Sequence, residues 1–239
     1  MKKILAFSLL VAAGTAQAAA IYSNGPVVPT PGGFSILAAP RTTFGFGDQT
    51  VSGNAVADDF VVPAGDTWNI SSINFYGYQT GAVGFTFQQA TWSVLAGDAN
   101  TGTVVASGVT AVTNGGLVGY RAQTSAPTDT SRAIFSVLAD MSDFSVGAGT
   151  YWLRWSLTGT AASGPWQPPT SDNAVGNARQ LTSLTAGLYA PLIEIGSGLA
   201  PTLPFSLNGS ISVVPEPTGW ALMVAGAGVL TMAKRRRKA

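Results

Sequence analysis

The chain contains no cysteine and no histidine. Without cysteine there is no disulfide framework, and without either residue the usual zinc, haem and iron–sulfur ligand sets cannot be assembled. Serine–histidine–aspartate and cysteine–histidine catalysis are excluded for the same reason. Lysine is missing from residues 19–213, a stretch that holds a single glutamate, Glu194. Its five arginines, Arg41, Arg121, Arg132, Arg154 and Arg179, stand against nine aspartates and that glutamate; five against ten leaves a net charge of −5. Nucleic-acid binding needs clustered Lys and Arg in the folded part, so no nucleic-acid partner is expected. Glycoside hydrolysis needs two carboxylates a set distance apart, one with a raised pKa. With one glutamate the pair would consist largely of aspartates, whose spacing marks no pair, and no enzyme activity is expected.

What is present favours strands. The 239 residues include 29 glycines and 14 prolines, and only 10% are charged, too few for exposed helix faces. Turn signals recur between β-prone runs, and the pattern predicts nine short strands at residues 55–62, 67–78, 90–96, 103–109, 117–123, 132–138, 150–157, 177–181 and 205–213. The expected fold is all-β, an antiparallel sandwich occupying residues 19–213 as one domain. In TYWLRWSL, Tyr151, Leu153, Trp155 and Leu157 alternate with Trp152, Arg154 and Ser156, giving a buried and a more polar face. FSLNGSISV contains the hairpin dipeptide Asn208-Gly209. A turn there would strand Ile211 and Val213, whereas one continuous strand keeps Phe205, Leu207, Ile211 and Val213 on one side. The single strand is preferred. Residues 159–177 lack any period and read as a long loop.

The two ends are of another kind. Lys2 and Lys3 precede an apolar stretch at residues 4–13, and small residues follow at Ala16 and Ala18. That is the build of a signal peptide over residues 1–18, with cleavage after Ala18 or Ala20; the alternative is an uncleaved anchor. At the other end, residues 218–233 carry no charge. As a helix they span ~24 Å, which snorkelling by Lys234 and Arg235 and an interfacial Trp220 extend towards the ~30 Å of a bilayer core. Lys234, Arg235, Arg236, Arg237 and Lys238 act as a stop-transfer signal, because each charge at mid-membrane costs on the order of 3 kcal/mol. The basic end therefore stays cytoplasmic and the domain lies outside. Ahead of the helix, Pro215 and Pro217 hold Glu216 in an extended segment that fits a protease cleft.

Pro215-Glu216-Pro217, an apolar helix and an Arg-rich end, in that order over residues 214–239, resemble the PEP-CTERM sorting signal of Gram-negative bacteria. The resemblance implies recognition by exosortase, an integral-membrane cysteine transpeptidase encoded with exopolysaccharide genes, and removal of the tail. An ordinary stop-transfer anchor is the alternative. The run NAVADDFVVPAGDTWNISSINFYGYQTG resembles the opening strands of jelly-roll, galactose-binding-like ectodomains of secreted bacterial proteins, which implies a fold and no activity.

Candidate chemistry within the domain is sparse. Asp58 and Asp59 are adjacent, so on a strand they point to opposite faces and cannot act as an acid/base pair. One of them with Asp66 or another loop carboxylate is a structural calcium reading; no Asp-x-Asp-x-Asp-Gly loop accompanies it, and no other cofactor is expected. Asp140 and Asp143 read as turn formers. Exposed rings pack on the apolar faces of sugars, and Tyr76, Tyr78, Trp92, Trp152 and Trp166 are the aromatic candidates. Trp166 on the Pro-rich loop, and Trp152 beside Arg154, are the preferred ligand contacts. The expected role is that of an exported structural or adhesive protein of the envelope or exopolysaccharide matrix, transiently anchored in the bilayer. The rival readings are a carbohydrate-binding module and a permanently anchored single-pass membrane protein.

Overall fold

The computed structural model describes residues 18–213. The expected signal segment to residue 17, including Ala16, lies outside the described residues. So does the tail from residue 214, with Pro215, Glu216, Pro217, Lys234, Arg235, Arg236, Arg237 and Lys238. Among the described residues no helix is long and apolar enough to cross a membrane.

Almost all regular structure is strand: β1 (Ala20–Ser23), β2 (Phe34–Leu37), β3 (Phe46–Gly47), β4 (Ala55–Gly77), β5 (Phe87–Ala96), β6 (Thr103–Gln123), β7 (Ala133–Gly159), β8 (Trp166–Gln167), β9 (Arg179–Leu181), β10 (Ala190–Pro191) and β11 (Phe205–Val213). One large sheet runs β1-β11-β4-β7-β5-β6-β2, with β9 joined to β4 and β10 to β9, while β3 and β8 form a separate pair. The expectation of a purely antiparallel sheet is corrected at one edge. There β2 runs parallel to β6, with Phe34 beside Tyr120 and Leu37 beside Gln123, so the sheet is mixed. The parallel pairing is possible because a long excursion, β3 to β5, separates the two strands.

Six of the nine expected strands merge into three long ones. The segments 55–62 and 67–78 are both part of β4, 103–109 and 117–123 of β6, and 132–138 and 150–157 of β7. The Gly/Pro clusters between them are corners within a strand. At residues 63–66 the register of β4 against β7 skips from Val62–Gly149 to Thr67–Gly147. Gly65 there has φ +89°, and Gly116, at the β6 corner, has φ +108°, conformations that cost a residue with a Cβ.

These corners fold the sheet over on itself. Phe60 and Trp68 lie eight residues apart on β4, ~27 Å if the strand were straight, yet their rings stack with centroids 6.0 Å apart. Trp155 lies eighteen residues along β7 from Val137, the partner of Phe75, yet its ring is 5.7 Å from that of Phe75. The enclosed space holds a single large core that includes Val56, Phe60, Trp68, Ile73, Phe75, Leu153, Trp155, Leu157 and Phe205. Trp155 is 1% exposed, and truncating a side chain of that size and burial costs about 3–5 kcal/mol.

β11 is one strand, as its alternation predicts. Asn208-Gly209 falls at a register shift, where Ser72 pairs with Asn208 and Ile70 with Gly209, and makes no turn. Burial changes along the strand: Phe205 and Leu207 are buried, and Ile211 and Val213 are exposed. Ile211 sits opposite the buried Trp68 but is 45% exposed, and β1 pairs with β11 only as far as Asn208. The two ends of the described chain meet at this edge: Ala20 lies beside Asn208, and the Gly209 N–H donates to the Ala19 carbonyl at 3.0 Å.

Candidate functional site

The outer surface of the sheet carries an open groove of about 400 Å³. Its floor follows from alternation on β5. In QQATWSVLA, Ala90, Trp92 and Val94 enter the core, so Thr91 and Ser93 must face out. Register then places Ser107, Ser93 and Arg154 in one row across β6, β5 and β7, and Val109, Thr91 and Ser156 in the next. Small hydroxyl side chains make the floor flat, and Tyr189 and Ala55 complete the lining.

Arg154 is the only charged side chain of the groove. Its Nε donates to Ser93 Oγ at 2.9 Å and Nη1 to the Ala99 carbonyl at 3.4 Å, and the guanidinium lies 5.2 Å from the Tyr189 ring centre. Tyr189 is fixed in turn. Its N–H donates to Asn100 Oδ1 at 2.8 Å, and Asn100 Nδ2 donates back to its carbonyl at 3.1 Å. The Asn100 N–H donates to Asp98, which pairs with Arg179 at 3.0 Å, and the Arg179 guanidinium covers Trp152 at 4.8 Å. Burial raises the pKa of the Tyr189 hydroxyl. Hydrogen bonds from Asn100 and Thr101 outweigh a small desolvation cost and, with Arg179, hold the Asp98 carboxyl below its usual value.

The structure therefore separates the three preferred ligand residues. Arg154 opens onto the groove. Trp152 stands on the same outer face but is only 5% exposed, sealed by Ala57, Ala99, Tyr189 and Arg179. Trp166 lines a different groove, of about 630 Å³, with Gln49, Asn54 and residues 161–165; its Nε1 donates to Ser163 at 3.1 Å. Of the other aromatic candidates, Tyr78 and Trp92 are buried, and Tyr76 is half-buried with its hydroxyl on Ser206. The aromatic platform is thus mostly interior packing, as large rings in a β core tend to be.

The carboxylates do other work. Asp58 is buried and accepts from Asn24 Nδ2 at 2.9 Å and from the N–H groups of Leu203 at 2.7 Å and Asp59 at 2.9 Å, tying the segments around residues 24 and 203 to β4. Burial pushes its carboxyl up to about 7 against those hydrogen bonds. Among the described residues no group of three or more His, Cys, Asp or Glu could hold a metal ion. Asp140 and Asp143 line a third groove with Trp92 and Phe144.

The lining of the Arg154 groove contains no carboxylate and so offers hydrogen bonds and one fixed positive charge, with no acid/base pair. The period-2 pattern of β5 and β7 signals Thr91, Ser93 and Ser156. Tyr189 has no such signal, because it arrives from a loop remote in sequence. Compared with known proteins, the chain matches no family model, no curated protein and no solved structure.

Proposed function

We propose that the protein is exported across the cytoplasmic membrane, held briefly in the bilayer by its C-terminal helix, recognised by an exosortase at Pro215, Glu216 and Pro217, and released to the cell surface or extracellular matrix. Its role there is structural or adhesive, within the envelope or exopolysaccharide. The observation that carries this is the tripartite tail of residues 214–239, whose apolar stretch ends in five cations that resist translocation. The ectodomain is a sandwich of jelly-roll type, a reading supported by the folded β4–β7 ribbon whose two arms enclose one core. The meeting of Ala19 with Gly209 supports the topology as well. A domain tethered through residue 214 brings its own N-terminal edge to the membrane, where a signal peptidase acts. Deleting residues 214–239 is expected to move the domain out of the membrane-linked fraction; unchanged fractionation contradicts the proposal.

A second reading, glycan binding, is favoured by the groove around Arg154. A hydroxyl-lined floor with one guanidinium and one ring edge suits a polyhydroxylated, acidic sugar. Arg154→Ala is expected to abolish retention on an acidic polysaccharide with little loss of stability. Retention that persists in Arg154→Ala but disappears in Trp166→Ala moves the site to the loop groove.

A further inference from the structure

The sequence holds three Asn-Gly dipeptides, at Asn24, Asn114 and Asn208. The pair is chemically labile where it is open. Glycine has no Cβ to shield its main-chain nitrogen or restrict its backbone, so that nitrogen can reach the side-chain amide of the residue before it.

The fold treats the three differently. Asn208 is 3% exposed in β11, its Nδ2 donates to Ser72 Oγ at 3.0 Å, and the Gly209 N–H donates to the Ala19 carbonyl at 3.0 Å. Both reacting groups are held. Asn24 is half-buried; its Nδ2 donates to Asp58 Oδ2 at 2.9 Å and to the Leu203 carbonyl at 3.0 Å, and its Oδ1 accepts from the Tyr22 hydroxyl at 2.8 Å. Every polar atom of that amide is engaged.

Asn114 is exposed at the corner of β6. It pairs with Val137, the next pair is Leu117 with Phe135, and Gly115 and Gly116 fall in the register gap between. The Gly116 N–H donates to Asn114 Oδ1 at 2.9 Å, which holds the side chain along the main chain over Gly115 and draws electron density from the amide carbon. Packing also demands glycine at 115, because a Cβ there would lie 2.5 Å from Ser136 Oγ. The corner therefore requires the very residue that leaves the asparagine open to attack.

We infer that Asn114 is a self-modification site, at which the Gly115 nitrogen displaces the side-chain amide nitrogen and water completes conversion to aspartate and isoaspartate. The Gly115 N–H gives its proton to solvent base and the nitrogen attacks Asn114 Cγ. The Cγ–Nδ2 bond breaks, Nδ2 leaves as ammonia, and a five-membered succinimide remains. Water then opens the ring. Cleavage of the new bond from Cγ to the Gly115 nitrogen gives aspartate; cleavage of the original peptide bond gives isoaspartate, whose chain runs on through Cβ and Cγ. Water is the sole co-reactant and nothing is oxidised. Either product adds a negative charge, and isoaspartate lengthens the backbone beside the buried Val137. The inference does not depend on the tail or on exosortase.

The full-length protein, purified in detergent, is incubated in mildly alkaline buffer either folded or denatured in urea. Peptide mapping by mass spectrometry follows each Asn-Gly pair, and an isoaspartate methyltransferase with a labelled methyl donor counts the rearranged product. In the folded protein an NH-to-O mass gain, preceded by an ammonia-loss species, is expected at Asn114 roughly tenfold or more faster than at Asn24 or Asn208, which react only after local opening. In urea that difference should vanish. Asn114→Gln, for which the ring would need six members, should remove the methyl-accepting signal from the folded protein and leave the other two sites reactive in urea. The inference is overturned if Asn114 in the folded protein reacts no faster than Asn24 and Asn208, if it stays intact there while reacting in urea, or if the signal survives Asn114→Gln.

Discussion

Glu194 and Asp48 are both completely buried carboxylates, and their surroundings push them in opposite directions. Glu194 accepts from the N–H groups of Thr42 at 2.6 Å, Thr43 at 2.9 Å and Ser197 at 2.6 Å. Just beyond, the Arg121 guanidinium donates to the carbonyls of Phe44 at 3.0 Å and Thr43 at 3.3 Å. The 42–44 segment is thus held between an anion on its N–H side and a cation on its carbonyl side. Burial alone would raise the Glu194 pKa, but the hydrogen bonds from Thr42, Ser197 and Thr43 win and hold it well below the usual carboxylate range. Burial also pulls Arg121 down to about 10, which leaves it charged. Around Asp48 neither carboxylate oxygen has a hydrogen-bond partner among the described residues, and burial pushes its pKa well above the usual value. Depth of burial therefore does not decide the protonation state; the donors that the fold supplies do.

The largest expected effect comes from breaking the satisfied site. Glu194→Ala leaves three backbone donors unpaired and Arg121 without its nearby anion, and it is expected to cost on the order of 4 kcal/mol at neutral pH. A folded pKa below the unfolded one gives stability that is present above about pH 4.3 and lost as pH falls. Urea midpoints of wild type and variant should accordingly converge in acid. The opposite sign is expected at the other site. A folded pKa above the unfolded one gives stability that is present below about pH 3.9 and lost as pH rises. Asp48→Asn should thus leave stability near pH 3.5 unchanged and raise it at pH 8. Destabilisation at pH 8 breaks the comparison. The smallest effect belongs to Ser35→Ala, which removes the hydroxyl acceptor of Arg121 Nη1 at 2.8 Å while three carbonyl partners, Phe44, Thr43 and Ser35 itself, remain. Thermal unfolding should report a loss of about 1 kcal/mol.

Neither fate was legible in the sequence, since Asp48 and Glu194 differ only in which loops close over them. Alternation was legible wherever one face meets the core: Tyr151, Leu153, Trp155 and Leu157 are all buried as TYWLRWSL implies. It failed for Trp152, because a network anchored at residues 98, 179 and 189 buries the outer face too. Strand number was misread at residues 63–66, 114–116 and 147–149 for one physical reason. Gly and Pro mark a change of chain direction, and a corner within a folded ribbon uses the same residues as a turn between strands. Of the candidate site, the hydroxyl rows and Arg154 follow from period 2. Its wall, Tyr189, depends on long-range packing that no local pattern carries.

The intact mass of the protein recovered from the cell surface reports whether both ends are removed during sorting. A mature species that begins at Ala19 or Ile21 and lacks everything beyond the Pro-Glu-Pro segment is the predicted result. A surface species that still carries Lys234 to Lys238, or a protein confined to the cytosol with residues 1–18 in place, contradicts it.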